Sequence, residues 1–264
     1  MIRLVCLDVD GTLVGSSGKV LPPVWDAAAR VRARDIRVAI CSGRPAFGET
    51  RDYATRLDAE GWHVFQNGAS VVHLPTGRSM SSSLAPETIR ILVERARRTG
   101  RLLELYTDTD YAVESTSELA REHARLLGIA FAPRSFESLE GPIVRAQWLL
   151  THEEAKETIA EPHPGLEVSP STSPVMTETT FVMLTPTGVG KASGVRAVAR
   201  AYDIRLGEVM FVGDGHNDIQ AMTEVGFAVA MGNAPKEVHE VARLHVGHVD
   251  QGGLVDALET ALDL

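Results

Sequence analysis

Two aspartates near the start of the chain, Asp8 and Asp10, have the types and the spacing that metal-dependent chemistry needs. They follow an uninterrupted apolar run, residues 4–7, which is typical of a strand buried on both faces. In extended backbone, residues two apart point to the same side, and Gly11 allows a sharp turn beyond them. Two carboxylates this close repel each other unless one is protonated or a cation intervenes. Oxygen ligands of this kind favour a hard ion such as Mg²⁺.

Other apolar, strand-like runs also end in polar residues. The runs cover residues 36–41, 64–66 and 209–212. The polar residues that follow them are Ser42, Gly43, Arg44, Asn67, Asp214, Asn217 and Asp218. Each one alone is also compatible with an ordinary loop, and Asn67-Gly68 with a plain turn. Because ligands of parallel sheets bind beyond the carboxyl ends of the strands, the residues together predict one site.

These residues suit a phosphate ligand. Ser42 can donate its hydroxyl, and we expect the Gly43 amide to open the following helix, whose N-terminus attracts anions. A simple N-cap role for Ser42 fits equally well. Lys191 lies at the start of another predicted helix, where the helix dipole disfavours a cation unless an anion is near. Asp214 and Asp218 add carboxylates that can bind a cation and orient Lys191.

The order of the predicted elements divides the chain into three stretches. Residues 1–83 alternate strands and helices, as a parallel sheet covered on both faces does. Residues 84–184 contain helices and strands that do not alternate in this way, and we interpret them as an inserted α+β domain. In residues 185–264 strands and helices alternate again. The predicted fold class is α/β, a Rossmann-like doubly wound parallel sheet core with an inserted domain.

Some local predictions bear directly on this organisation. Residues 64–66 are predicted as a third strand of the parallel sheet, residues 70–74 and 78–80 as a hairpin, and residues 46–60 as a helix. Thr151 and Glu154 have the spacing of a capping box that opens a helix. Prolines in the second half of the insert are predicted to lie in turns: Pro162, Pro164, Pro170 and Pro174.

Composition limits the class of protein. The chain has 264 residues, 44% of them hydrophobic, and 26 basic against 35 acidic residues give a net charge of −9. This balance argues against nucleic acid or a membrane surface as a partner and favours a soluble protein. Cys6 and Cys41 lie in apolar runs and are predicted to be buried thiols. With no leader and no apolar run of ~20 residues, we expect a cytoplasmic protein, and a monomer is compatible with the sequence.

At these positions the chain resembles the haloacid dehalogenase (HAD) superfamily. The residues that carry the resemblance occur in the family's order: Asp8-Val9-Asp10-Gly11-Thr12, Ser42, Lys191, and Gly213-Asp214-Gly215-His216-Asn217-Asp218. A wider resemblance to the Cof-type phosphatases rests on Ser42-Gly43-Arg44, Asn67-Gly68-Ala69, Gly188-Val189-Gly190-Lys191 and Ala230-Met231-Gly232-Asn233-Ala234. The insert lies where this group carries its type IIB α/β cap. The chain departs from the pattern at Ala192 and at Gly252-Gly253, neither of which supplies a catalytic atom.

The resemblance implies a Mg²⁺-dependent phosphomonoester hydrolase that acts on small phosphorylated metabolites, above all sugar phosphates. It implies that Asp8 forms an aspartyl-phosphate and that Asp10 is the general acid and base. It assigns Mg²⁺ to Asp8, the Asp10 backbone carbonyl and Asp214, with support from Asn217 and Asp218. The residues it implies for binding phosphate or substrate are Gly11, Ser42, Gly43, Arg44, Asn67, Lys191 and Asn217. His216 is placed at the rim.

Other functions fit the sequence less well. The presence of Asp10 argues against a dehalogenase, because dehalogenation has no alkoxide leaving group that a second acid would need to protonate. Phosphomutases usually insert a helical cap after the first motif, and here only residues 14–20 separate that motif from the next helix; a phosphotransferase or phosphomutase stays the alternative within the superfamily. A non-catalytic small-molecule sensor is the alternative from another class. It is disfavoured because Asp8, Asp10, Lys191 and Asp214 are all present.

Overall fold

The computed structural model describes residues 1–173 and 175–264, so the turn predicted at Pro174 lies outside the described residues. In chain order the strands are β1 (Leu4–Leu7), β2 (Arg37–Ile40), β3 (Trp62–Phe65), β4 (Ser70–His73), β5 (Leu102–Tyr106), β6 (Tyr111–Val113), β7 (Arg145–Leu150), β8 (Leu166–Thr172), β9 (Thr180–Pro186), β10 (Val209–Gly213), β11 (Phe227–Ala230) and β12 (Leu244–His245). The helices are α1 (Pro22–Arg32), α2 (Glu49–Asp58), α3 (Pro86–Thr99), α4 (Glu118–Leu126), α5 (His152–Ala160), α6 (Lys191–Ala201), α7 (Ile219–Glu224), α8 (Lys236–Val241) and α9 (Gly253–Asp263). No helix among the described residues has both the length and the apolar character to cross a membrane.

The described residues form two compact units. The first comprises Met1–Arg44, Arg51–Met80 and Gly190–Leu264, and the second comprises Pro45–Thr50 and Ser81–Val189. The second unit therefore includes a short segment that lies far from the insert in sequence.

A five-stranded parallel sheet in the order β12-β11-β10-β1-β2 is the centre of the first unit. Each pair of neighbouring strands is parallel, with Cys6 opposite Phe211 on one side and opposite Ala39 on the other. The β1 and β10 residues are buried throughout, because both faces of a parallel sheet are covered by helices. The predicted α/β core is confirmed, and Cys6 and Cys41 are buried free thiols.

The strand predicted at residues 64–66 differs from its prediction. β3 pairs antiparallel with β4, and its link to β2 is a single parallel bridge between Cys41 and Val64. The turn between β3 and β4 has positive φ at Gln66 and Asn67, which makes the tight reversal possible. The hairpin predicted at residues 70–74 and 78–80 is reduced to a bridge between Val72 and Ser79 with neighbouring backbone hydrogen bonds.

The second unit contains an antiparallel sheet in the order β6-β5-β7-β9-β8. Alternate β5 residues enter different clusters: Leu103 and Leu105 pack with α3 and α5 residues, whereas Leu102 and Tyr106 pack in a cluster with α4. The capping box of Thr151 and Glu154 at the start of α5 is confirmed. The sequence predicts a strand over residues 176–184, but β9 begins later, at Thr180.

Candidate active site

Lys191 begins α6, and its ammonium joins two buried carboxylates. Its Nζ lies 2.6 Å from Asp8 Oδ1 and 2.6 Å from Asp218 Oδ1. The Lys191 side chain is 1% exposed and that of Asp218 is 0% exposed, so these charge-assisted hydrogen bonds are shielded from water. A cation at a helix N-terminus was predicted to need a nearby anion, and these two carboxylates fill that role.

Three carboxylates meet at the ends of β1 and β10. One oxygen each from Asp8, Asp214 and Asp218 lies within 4.8 Å of the others, and no other such group of metal-binding side chains occurs in residues 1–173 and 175–264. With the Lys191 ammonium, three ionised carboxylates leave an excess of negative charge. Oxygen ligands with that excess fit a hard divalent cation.

The electrostatics of the cluster point the same way. Burial raises the pKa of Asp8 well above its ordinary value, and Asp218 and Asp214 raise it further, while Lys191 lowers it. Burial, with Asp218 adding to it, raises the pKa of Asp214 to about 6. Burial would lower the pKa of Lys191, but Asp218 and Asp8 outweigh it and raise that pKa above its ordinary value. A divalent cation between the carboxylates would relieve this repulsion.

Asp214 is held by two residues for which no role was predicted. The Thr12 hydroxyl donates to Asp214 Oδ1 over 3.0 Å, and Asn233 Nδ2 donates to Asp214 Oδ2 over 3.0 Å and to the Gly11 carbonyl over 2.8 Å. Thr12 and Asn233 both lie inside motifs that carry the family resemblance, and this position is the signal by which they could have been identified as site residues. Their partners come from distant segments, so sequence spacing did not identify them.

Glycines allow the carboxylates to approach the backbone. Gly11 has φ +85°, and a Cβ there would lie 2.1 Å from Asp214 Oδ2. Its amide donates to the Val14 carbonyl over 2.9 Å. A Cβ on Gly213 would lie 2.5 Å from Asp218 Oδ2. Side chains at these two positions would therefore displace the carboxylates.

Ser42 and Gly43 do not open a helix, and this prediction is wrong. α2 begins at Glu49, and Ser42 Oγ instead accepts a hydrogen bond from the Arg44 amide over 3.0 Å. A serine hydroxyl can stabilise a turn in this way as readily as it caps a helix, and the two patterns look alike in sequence. The helix-dipole argument for an anion at Gly43 therefore falls, while Ser42 itself is buried at the end of β2.

The predicted asparagines lie together beside this turn. Asn217 Nδ2 donates to Asn67 Oδ1 over 3.2 Å, and the Asn67 amide donates to the Ser42 carbonyl over 2.9 Å. A Cβ on Gly43 would lie 3.3 Å from Asn67 Oδ1. Residues from three separate segments are thus in contact.

Asp10 and Arg44 form a two-pronged ion pair. Arg44 Nη2 lies 2.6 Å from Asp10 Oδ1, and Arg44 Nε lies 3.0 Å from Asp10 Oδ2. The Asp10 side chain is 61% exposed, whereas that of Asp8 is 8% exposed. Asp8 and Asp10 therefore have different partners and different surroundings. His216 is also exposed, with its ring 3.8 Å from Glu237.

The chain belongs to the haloacid dehalogenase-like hydrolases, whose family pattern matches residues 5–258. It is 23% identical over 270 residues to the 5-amino-6-(5-phospho-D-ribitylamino)uracil phosphatase YbjI of Escherichia coli, covering 99% of this chain and 96% of that protein. Membership of the superfamily, inferred from the motifs, is confirmed, and with it the assignment as an enzyme.

Solved structures share the fold over the full length. A haloacid dehalogenase-like hydrolase from Bacteroides thetaiotaomicron matches with a TM-score of 0.87 at 23% identity, covering 98% of this chain and 99% of that one. The HAD subclass IIB sugar phosphatase BT4131 matches with a TM-score of 0.82 at 22% identity, covering 99% of this chain and 100% of that one. The fold is therefore the one that the resemblance implied, including its inserted part.

Proposed function

We propose that this protein is a divalent-metal-dependent phosphatase that hydrolyses phosphomonoesters through an aspartyl-phosphate on Asp8. The observation that carries the proposal is the position of Asp8. Its carboxylate is buried, oriented by Lys191 at 2.6 Å, and lies within 4.8 Å of carboxylate oxygens of Asp214 and Asp218. A nucleophile, a cation for phosphoryl oxygens and a metal-binding acid cluster are thus adjacent.

The residues that would hold Mg²⁺ are Asp8, Asp214 and the Asp10 backbone carbonyl, with Asp218 near enough to contribute. When bound, the ion supplies positive charge against the phosphoryl oxygens and orients them. Thr12 and Asn233 fix both oxygens of Asp214. Such partners of a ligand commonly matter nearly as much as the ligand itself.

In the first half of the reaction, an Asp8 carboxylate oxygen bonds to phosphorus and the bond from phosphorus to the alcohol oxygen breaks. Asp10, in its acid form, gives that oxygen its proton. In the second half, water attacks phosphorus, Asp10 takes a proton from it, and the bond to Asp8 breaks. Inorganic phosphate leaves and both carboxyl groups are restored. The exposed Asp10 side chain suits a group that must reach both an alcohol and water.

The remaining site residues would stabilise charge and position the phosphoryl group. Acid–base catalysis accelerates a reaction by about 10²–10⁴-fold, whereas enzymes accelerate the hydrolysis of phosphate monoesters by up to ~10²¹-fold over the uncatalysed rate. Most of the acceleration must therefore come from binding the developing charge. We assign this role to Lys191 and Ser42, with the Gly43 amide and the Asn67–Asn217 pair completing the phosphate site. Gly11 contributes by letting Asp214 approach.

We propose residues 84–184 as a cap that selects a small phosphorylated metabolite, with sugar phosphates as the first class to test. The fold shared with a subclass IIB sugar phosphatase and the sequence similarity to a phosphatase of a ribityl phosphate support this choice. A cytoplasmic location is part of the proposal, because Cys6 and Cys41 are both free thiols.

Hydrolysis of p-nitrophenyl phosphate by the purified protein, with and without Mg²⁺, tests the reaction. We expect metal-dependent release of phosphate that is abolished in Asp8→Asn and unchanged in Asp26→Asn, the same substitution at an exposed helical position. Equal turnover by wild type and Asp8→Asn would overturn the nucleophile assignment. A panel of sugar phosphates, followed for both inorganic phosphate and transfer to a sugar acceptor, separates the phosphatase from a phosphotransferase. No turnover of any ester would favour the sensor.

A further inference from the structure

The Asp214 carboxylate is held at both of its oxygens. Oδ1 accepts a hydrogen bond from the Thr12 hydroxyl over 3.0 Å, and Oδ2 accepts one from Asn233 Nδ2 over 3.0 Å. Thr12 is buried, which limits the competition of water for its hydroxyl. A carboxylate that is tied at both oxygens resists the rotation by which it changes from binding an ion with one oxygen to binding it with two.

Asn233 is fixed from its other side. Its Oδ1 accepts a hydrogen bond from the Val249 amide over 3.0 Å, and this bond decides which way the side-chain amide points. Nδ2 must therefore face Asp214 and the Gly11 carbonyl, to which it also donates over 2.8 Å. Asn233 thus connects Asp214 to two backbone segments, and it cannot turn away without losing all three hydrogen bonds.

Close-packed glycines hold the loops that carry these contacts. A Cβ on Gly232, next to Asn233, would lie 2.8 Å from the Gly247 carbonyl carbon, and one on Gly253 would lie 1.9 Å from the Gly247 carbonyl oxygen. Val249, whose amide binds Asn233, lies between Gly247 and Gly253 in the chain. The loop at residues 247–253 is therefore a fixed support for Asn233.

The other two carboxylates of the acid cluster are restrained as well. Asp218 Oδ1 accepts from Lys191 over 2.6 Å, and its Oδ2 accepts from the backbone amides of Asp214 over 3.1 Å and Gly215 over 2.9 Å. Asp8 Oδ1 accepts from Lys191 over 2.6 Å. The cluster therefore presents a cation with oxygens whose directions are set by the protein.

Two hard cations differ in what they require of such ligands. Mg²⁺ binds oxygens at about 2.0–2.1 Å in near-ideal octahedral geometry and keeps several waters, so it needs few protein ligands. Ca²⁺ binds roughly six to eight oxygens at about 2.3–2.6 Å, and carboxylates often bind it with both oxygens. Because flexible ligands suit the larger ion, a set of carboxylates that cannot reorient favours Mg²⁺.

We propose that Thr12 and Asn233 make the site selective for Mg²⁺ over Ca²⁺, because they prevent Asp214 from turning to the two-oxygen coordination that the larger ion favours. Both are positioning residues, and they act on the ion through Asp214. The inference deepens the proposed function and rests on it in taking the acid cluster as the metal site. It adds the residues that determine which metal the site accepts.

Competition against Mn²⁺ measures this selectivity without turnover. Bound and free Mn²⁺ differ in their electron paramagnetic resonance signals, so titration with Mg²⁺ or Ca²⁺ as the competitor gives a Kd for each ion. We expect the wild type to bind Mg²⁺ more tightly than Ca²⁺. In Asn233→Ala, the ratio of the Ca²⁺ Kd to the Mg²⁺ Kd should fall about tenfold, since loss of a residue that orients a metal ligand typically changes metal affinity by about 10–100-fold. Gln251→Ala removes an exposed amide side chain from the loop that contains Val249, and as the matched control it should keep the wild-type ratio.

Two results would overturn the inference: a wild type that binds Ca²⁺ as tightly as Mg²⁺, or a ratio in Asn233→Ala equal to that in Gln251→Ala. Should Asn233→Ala not fold by circular dichroism, Thr12→Val replaces it, because this change removes the hydroxyl and keeps the shape of the side chain. An unchanged ratio in Thr12→Val overturns the inference equally.

Hydrolysis of p-nitrophenyl phosphate, measured separately, distinguishes failure of this inference from failure of the proposed function. Selective binding of Mg²⁺ without turnover would contradict the proposed function alone. Metal-dependent turnover with an unchanged ratio in the variants would contradict this inference alone. Binding of neither ion would overturn the inference together with the metal dependence of the proposed reaction.

Discussion

The two units bury polar side chains in contrasting arrangements. In the first unit, Asp8, Asp214 and Asp218 gather at strand ends around one ammonium, and their negative charge exceeds what Lys191 balances. In the second unit, a group of buried polar residues lies on β5, β7 and α4, and its members contact one another: Glu104, Tyr106, His123, Arg145 and Gln147. An arrangement that needs a ligand to complete it is suited to chemistry. An arrangement in which buried polar side chains contact one another is suited to stability.

Removing the cation of the first unit should have the largest effect. Lys191→Met keeps the side-chain length but takes away the charge between Asp8 and Asp218. We expect kcat for p-nitrophenyl phosphate to fall about 10²–10³-fold, the loss typical of one group that stabilises transition-state charge. Steady-state kinetics with Mg²⁺ measures it. Lys156→Met, at an exposed position of α5, should leave kcat unchanged; equal kcat in both variants would remove the contrast between the units.

The corresponding change in the second unit should affect folding. Glu104→Ala leaves the Tyr106 hydroxyl and the His123 ring without their buried acceptor. We expect the free energy of unfolding to fall by about 3–5 kcal/mol, the range for loss of one member of a buried pair. Urea unfolding followed by tryptophan fluorescence measures it. Glu122→Ala, at an exposed position of α4 next to His123, is the control, and an equal loss in both would show that the network adds no stability.

A buried histidine of the first unit sharpens the comparison, because it is polar but lies outside the acid cluster. The Ile40 amide donates to His63 Nδ1 over 3.1 Å, and His63 Nε2 donates to the Asp58 carbonyl over 2.9 Å. Burial lowers the pKa of His63 from 6.5 to about 4, and the nearby Arg37, His73 and Arg51 add to the lowering. The folded state therefore favours the neutral ring.

This difference in pKa has a defined sign. Because the folded pKa is the lower one, the stabilisation is complete above the unfolded value of 6.5 and is lost as pH falls towards 4. We expect about 3 kcal/mol of the free energy of unfolding to depend on this group over that range. His63→Gln offers an acceptor and a donor without titrating. Unfolding of both proteins at several pH values should give curves that diverge below pH ~6.5; parallel curves would contradict the prediction.

The smallest expected effect concerns a helix end of the second unit. Thr151→Ala removes the side chain that accepts from the Glu154 amide at the start of α5. We expect a loss of about 1 kcal/mol in the free energy of unfolding and unchanged kcat. Thr187→Ala makes the same substitution at an exposed position, and it should lower the free energy of unfolding by less than Thr151→Ala does. If the two cost the same, the cap contributes nothing at this helix.

Local signals predicted much of the fold and of the candidate site. The sequence predicts a helix over residues 86–99, and α3 has these bounds, because proline at the first turn and Gly100 after the last turn are both visible in the sequence. The carboxyl ends of β1 and β10 placed Asp8 and Asp214 together because parallel strands end at one edge. The first feature depends on neighbours in the chain, and the second on a general rule of parallel-sheet topology.

Features that depend on distant partners were not predictable. β3 looked like another parallel strand, because its apolar composition is the same in either pairing. Ser42 looked like a helix cap, but α2 begins only at Glu49, inside the segment Pro45–Thr50 that belongs to the second unit. Thr12 and Asn233 showed no sign of their shared partner Asp214, since nothing in their own segments identifies it.

The membership of Pro45–Thr50 in the second unit determines how the protein can be dissected. Excising Ser81–Val189 to obtain a minimal parallel-sheet protein would remove Tyr106 and Tyr111, against which the Phe47 ring stacks, and the Leu127 carbonyl that lies beside Gly48. Chimaeras that exchange the insert with that of a relative face the same problem. Grafts that carry these six residues along with the insert should yield soluble hybrids where grafts of the insert alone do not.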